Sequence, residues 1–283
     1  MATLTAWLFR PAPLGRIGAL RTIAYVFVPI DVLLTTPWVV QHADVPGPLY
    51  QPLLLGRLLH LPTPGGWVEL LRWVLVAASL VAASGRLPRL LGVVVAVLYL
   101  EWMVVAFSYG KVDHDRVAFL VLLTVLPTVG RARYGDRTSS DAAGWAISMT
   151  TLAVVATYFL SAIAKLRFGG LDWVNGATLT RAVVRRGTAL STPLLGHAWV
   201  LHAFQYVLVI VELLVSPLLL VRWRHERITW ALVGGFYLFH LMTFATITIV
   251  FLPHCVALLA LLPLERFAVR RLQPASQREV VHA

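Results

Sequence analysis

Of the 24 basic residues in the chain, only Lys111 and Lys165 are lysines. The difference is chemical. A desolvated amine gives up its proton and can then act as a base, whereas arginine, with a pKa above about 12, cannot. Lys165 follows Tyr158, Ser161 and Ala162 at spacings of seven, four and three, so on a helix all four project from one face. Two roles fit a lysine placed there: an ammonium at a helix end that reaches out to lipid headgroups, and a buried base. His114 lies between two aspartates in "KVDHDR". A neighbouring carboxylate raises a histidine's pKa and orients its ring; the same aspartates can also serve simply to cap a helix. His240 stands inside the apolar run "GGFYLFHLMTF", where an ionisable side chain is costly and faces either a cavity or a hydrogen-bonding partner on another helix.

His202, Gln205, Glu212 and Ser216 recur at helical spacing as a polar stripe. Glu212 lies so far inside an apolar run that it must be paired or protonated. A metal site drawn from His197, His202, His240, His254 and Glu212 contains no histidine pair at i, i+4, and no metal is expected. Cys255 is the only cysteine, which excludes an internal disulfide and a cysteine-rich metal site. The chain has no glycine loop of the phosphate-cradling kind and no nucleophile elbow.

The elements that must position these residues are membrane helices. The chain is 59% hydrophobic and 13% charged, against about 25% charged in soluble domains. Continuous apolar runs approach the ~20 residues that a helix needs to cross ~30 Å of hydrocarbon. The absence of period-two alternation selects helices over a barrel. The expected fold is therefore an all-α polytopic bundle of about eight spans: 17–40, 67–84, 89–109, 116–130, 142–164, 198–221, 228–251 and a short one at 252–264. The first, with Arg21, Pro29 and Asp31 and no small-residue cleavage site after it, reads as a retained helix. Residues 1–265 form one transmembrane domain and 266–283 a cytoplasmic tail.

The net charge of +11 comes mostly from arginines clustered between the runs, the pattern that holds loops at the cytoplasmic face; no nucleic-acid partner is expected. Arg10 and Arg16, Arg86 and Arg89, Arg131 to Arg137, Arg222 to Arg227, and Arg266 to Arg271 all fall on one side if there are eight spans. Both termini are then cytoplasmic, in a plasma (inner) membrane protein. Loops 41–66, 110–116 and 165–197 face outward, which brings His114 and Lys165 to one membrane depth, although the third loop is itself basic.

The segment "YFLSAIAKLRFGGLDWVNG" resembles the HTTM family, the membrane domain shared with vitamin K-dependent gamma-carboxylases. Its pattern is met by Tyr158-Phe159, Ala162, Lys165-Leu166, Asp172-Trp173 and Gly176, with "RFGG" lengthening the distance from lysine to aspartate relative to animal carboxylases. Weaker agreement runs through "GRIGALRTIAYVF", "YQPLLLGRLLHLPTP", "HDRVAFLVLLTVLP", "VIVELLVSPLLL" and "FHLMTFATITIVFLP". The resemblance implies that Lys165 deprotonates a reduced quinone of the vitamin K type, with His114 and His240 beside the quinol. Tyr158, Trp173 and Phe236 would wall the site, and Asp172 and Glu212 would belong to the pocket. It further implies carboxylation, or a related proton abstraction, at the extracytoplasmic face, with membrane lipid or quinone and a secreted peptide or protein as partners. A full carboxylase carries a large extramembrane portion after its helices, which this sequence does not show. The competing readings are a non-catalytic membrane protein that binds or transports a lipid, quinone or peptide, and an accessory subunit.

Overall fold

A computed structural model describes residues 2–110, 112–221 and 226–267. Arg222, Arg224, Arg270, Arg271 and almost all of the expected tail lie outside the described residues. The described chain is all-α apart from a two-residue ladder in which Ala12 pairs with Ser140 and Pro13 with Ser139. We label the main helices α1 (Leu14–Ile30), α2 (Trp67–Ala83), α3 (Pro88–Phe107), α4 (Val117–Val125), α5 (Asp141–Asn175), α6 (Thr178–Arg186), α7 (Ala198–Ile210), α8 (Glu226–Ile247) and α9 (Leu252–Leu258).

Five stretches are long and apolar enough to cross a membrane: Leu14–Thr35, Pro88–Phe107, Asp141–Asn175, Thr192–Leu220 and Glu226–Ile247. Three other expected spans are helical but shorter. The 17 residues of α2 reach about 26 Å. Helix α4 gives way at Leu126 to a 3-10 turn that contains Pro127, and α9 belongs to an apolar segment, Leu252–Leu261.

The main core joins α1 to α5, α8 and α9, with Tyr25, Tyr99, Trp102, Phe119, Leu122 and Leu123 fully enclosed. Small residues bring backbones together where helices meet loops. A Cβ at Gly18 would lie 2.7 Å from the carbonyl carbon of Arg133, which locks α1 against the 131–137 loop. A second, smaller cluster of Val183, Leu201 and Ile247 joins α6, α7 and α8.

Two helices loosen at buried carboxylates. Helix α1 continues as a π-helical turn over Asp31–Thr35, just after Pro29, and α7 continues as one over Val211–Val215, which holds Glu212 and precedes Pro217. Pro37 and Pro217, each two residues past its turn, cannot donate to the carbonyl four residues back, and the ladder re-registers just ahead of each. Ser216 Oγ donates to the Glu212 carbonyl at 2.6 Å and stabilises the second turn.

The chain departs from the expected boundaries at α5, which runs to Asn175 rather than ending near 164. Charge at Lys165 marks a helix end only if the charge has nowhere to go but the headgroups, and here it has a partner on α7. The break comes instead at Gly170, with φ 59° and ψ −159°, a backbone region reserved for glycine. The expected outward loop 165–197 is consequently mostly ordered: the end of α5, then α6, then a 3-10 turn over Thr192–His197.

Candidate functional site

The site assembles where α5, α7, α8 and α9 meet the turn that carries His114. Tyr158, Ser161 and Lys165 share one face of α5, as their spacing requires. The Lys165 ammonium donates to Ser161 Oγ at 3.0 Å and forms an ion pair with Glu212. Its side chain is only 20% exposed, so it is held inside the protein rather than spread toward headgroups. Trp173 completes this half. The break at Gly170 folds the chain back so that the indole centroid lies 5.4 Å from Lys165 Nζ, within cation–π range. Glycine at 169 permits the fold, since a Cβ there would meet the Trp173 side chain at 2.8 Å.

The other half is an aromatic and imidazole cluster. Tyr158 Oη and His240 Nε2 share a 2.6 Å hydrogen bond, and the Phe236 ring lies 4.6 Å from Tyr158. His254, from α9, stands edge-on to Tyr158 at 4.5 Å and 5.6 Å from His240. Phe251 bridges onward, 5.1 Å from His240 and 6.4 Å from His114. Nδ1 of His240 and both ring nitrogens of His254 are buried with no hydrogen-bond partner among the described residues.

His114 sits at the rim, on a 3-10 turn over His114–Arg116. Its pKa is lowered, first by loss of solvent around the ring and then by the Lys165 charge; Asp113 opposes both and loses. This reverses the expectation that the flanking aspartates raise it. Those aspartates spend their charge on Arg116, whose Nη1 lies 3.4 Å from both Asp113 Oδ2 and Asp115 Oδ1. Nη2 of the same guanidinium reaches Asp31 Oδ1 at 3.3 Å and Thr35 Oγ1 at 3.2 Å. Tyr99 Oη donates to the other Asp31 oxygen at 2.8 Å. This buried network anchors the turn, and with it His114, to α1 and α3.

Of the expected site residues, Lys165, His114, His240, Tyr158, Trp173, Glu212 and Phe236 come together. Asp172 does not: it is exposed just past the α5 break, where its carbonyl accepts from Gly176 N–H at 2.8 Å. The polar stripe on α7 divides as well. Gln205 is wholly structural, donating to the Val174 carbonyl at 2.7 Å and accepting from Leu179 N–H at 2.8 Å, so that it clamps the end of α5 to the start of α6. Sequence reasoning passed over His254, considered only as a metal ligand, and the Asp31–Arg116 pair. An aspartate inside the first apolar run and an arginine opening the fourth were the available signals. Among the described residues no group of three or more His, Cys, Asp or Glu is placed to hold a metal ion.

Compared with protein-family models, curated proteins and solved structures, the chain gives no match in any of the three.

Proposed function

We propose that this chain is a multi-pass protein of the HTTM kind. Its eight apolar helices lie in the plasma membrane with both termini cytoplasmic, and Lys165 acts as a base in quinol-coupled proton abstraction or carboxylation at the opposite face. The observation that supports this reading is the placement of the Lys165 amine: inside the protein against Glu212, near enough to His114 to depress its protonation, and about two turns along the same face of α5 from Tyr158, the hydrogen-bond partner of His240.

The residues present suit a quinone. Three imidazole nitrogens on His240 and His254, without a partner among the described residues and walled by Tyr158, Phe236 and Phe251, match a flat ring that carries two oxygens. A reduced quinone, when bound, supplies the reducing equivalents with which oxygen yields a base strong enough to take a proton from carbon. Lys165 as the neutral amine accepts a hydroxyl proton. Burial favours that form, while the Glu212 carboxylate opposes it by stabilising the ammonium. His240 and His254 orient the ring oxygens, and neutral His114 accepts a hydrogen bond at the rim. Carbon dioxide captures the resulting carbanion on a secreted peptide or protein.

A second reading is favoured by the same ion pair. Lys165, Glu212 and Ser161 satisfy one another, as a purely structural pair does, and the site would then bind a lipid or quinone without turnover. Mass spectrometry of membranes with and without the protein separates the two. Turnover yields a quinone epoxide and a product heavier by one carboxyl group; a bound quinone with neither product leaves the binder.

A further inference from the structure

At the end of the bundle that carries the arginine clusters, the α2–α3 loop and the segment after α4 enclose a groove of about 930 Å³. Four arginines line it, Arg86, Arg89, Arg131 and Arg133, and among the described residues no carboxylate does. All four are exposed. The guanidinium of Arg89 reaches across to the other wall: a Cβ at Gly130 would lie 3.3 Å from its Nε and Nη2, and Gly130 has φ +73°. Any side chain there would strain the backbone and force the guanidinium to give by a few tenths of an ångström.

Beneath the floor lies a fifth positive charge. Arg21, 2% exposed, donates from Nη2 to the Gly130 carbonyl at 2.8 Å, while its Nε and Nη1 have no hydrogen-bond partner among the described residues. Pro88 begins the 20-residue helix α3 at the groove, so the positive end of that helix dipole faces the same space. Asp136 stands outside the lining, where its carboxylate accepts from the Thr138 amide at 2.9 Å.

An apolar element points the same way. Leu87 stands between Arg86 and Pro88 in the left-handed region, φ 43° and ψ 51°, with 64% of its surface exposed; Leu90, 62% exposed, follows one turn on. A strained, exposed leucine amid guanidinia gains nothing in water and gains burial in acyl chains. A free phosphate uses the charges and leaves Leu87 and Leu90 unexplained. A lipid uses both.

We infer that this groove is a binding site for the headgroup of an anionic phospholipid, with the phosphate held by Arg86, Arg89, Arg131 and Arg133 and the acyl chains lying along Leu87 and Leu90. The site is remote from Lys165 and stands whether or not the quinol reading does.

Native mass spectrometry of the full chain, released from detergent and titrated with phosphatidylglycerol or phosphatidylcholine, tests it. One phosphatidylglycerol should be retained at least about tenfold over phosphatidylcholine, and each arginine replaced should cost about fivefold. The quadruple variant Arg86→Gln/Arg89→Gln/Arg131→Gln/Arg133→Gln should lose the preference. Arg185→Gln/Arg186→Gln, charges removed from α6 outside the groove, should keep it. Arg86→Gln and Arg131→Gln alone, both on exposed side chains, carry the test if the quadruple variant does not fold. Equal retention of the two lipids, equal losses in groove and control variants, or full displacement by millimolar inorganic phosphate would each overturn the assignment.

Discussion

Two residues that carry no proton in the proposed chemistry, Asp115 beside the site and Tyr158 in its wall, decide whether the site is held as described. Burial pushes the Asp115 carboxyl up to about 6, against the pull of Arg116 beside it. Because this folded value lies above the ordinary 3.8, the contribution of the carboxyl to stability is fully present below 3.8 and is lost as the pH rises through about 6. Asp115→Asn should therefore raise the melting temperature relative to the unmodified chain more above pH ~7 than below pH ~4; a constant difference would contradict it. Tyr158→Phe leaves His240 Nε2 without its 2.6 Å partner, a buried loss of about 1–3 kcal/mol that a thermal melt in detergent reads directly. The sequence made Tyr158, Lys165 and Glu212 legible, since helical spacing puts the first two on one face and an apolar run demands a partner for the third. It could not pair Lys165 with Glu212, because residues 47 positions apart meet only through the packing of α5 on α7. It misjudged His114 for a related reason: adjacent aspartates dominate a linear reading, while in space they turn to Arg116 and the nearby charge is Lys165.

The elements carry strain and charge in places that substitutions can probe. Arg116 holds Asp31, Asp113 and Asp115 together. Arg116→Met should cost about 3–5 kcal/mol by leaving buried carboxylates unpaired. Adding Asp31→Asn to it should recover part of that loss, and an equal or larger loss in the double variant would show that the network is not the anchor. At the α5 break, Gly170→Ala forces a side chain into a glycine-only conformation, at about 1–3 kcal/mol. It should also move Trp173 off Lys165, visible as a shift in tryptophan fluorescence that Gly66→Ala, in open space, does not produce. Helix type was readable from the apolar runs but not at α6, whose sequence TLTRAVVRR is no such run and fell in an expected loop. Boundaries were not, at α5 because an internal ion pair lets a helix continue past a charge, and at α4 because Pro127 converts its last turn to a tighter one.

At the scale of the whole molecule, the arginine clusters and the Lys165 site lie at opposite ends of the bundle if all eight apolar helices cross. Cys255 is the only cysteine, so a Cys255→Ala background supports a labelling map. Cysteine at Asp136→Cys should react with an impermeant maleimide only from the cytoplasmic side, and at Thr188→Cys only from the outside; reaction of both from one side removes the eight-span arrangement. Composition announced a membrane protein plainly, yet α2, α4 and α9, the expected spans whose helices fall short, show why length alone does not count spans. The central claim is that one buried amine works as a base. Its most direct test is quinone and product analysis of membranes carrying the unmodified chain or Lys165→Arg, with both proteins verified as folded and inserted. The account predicts quinone epoxide and carboxylated product from the first, and a loss of about 10²–10⁴ in rate from the second. An arginine variant as active as the unmodified chain would contradict it.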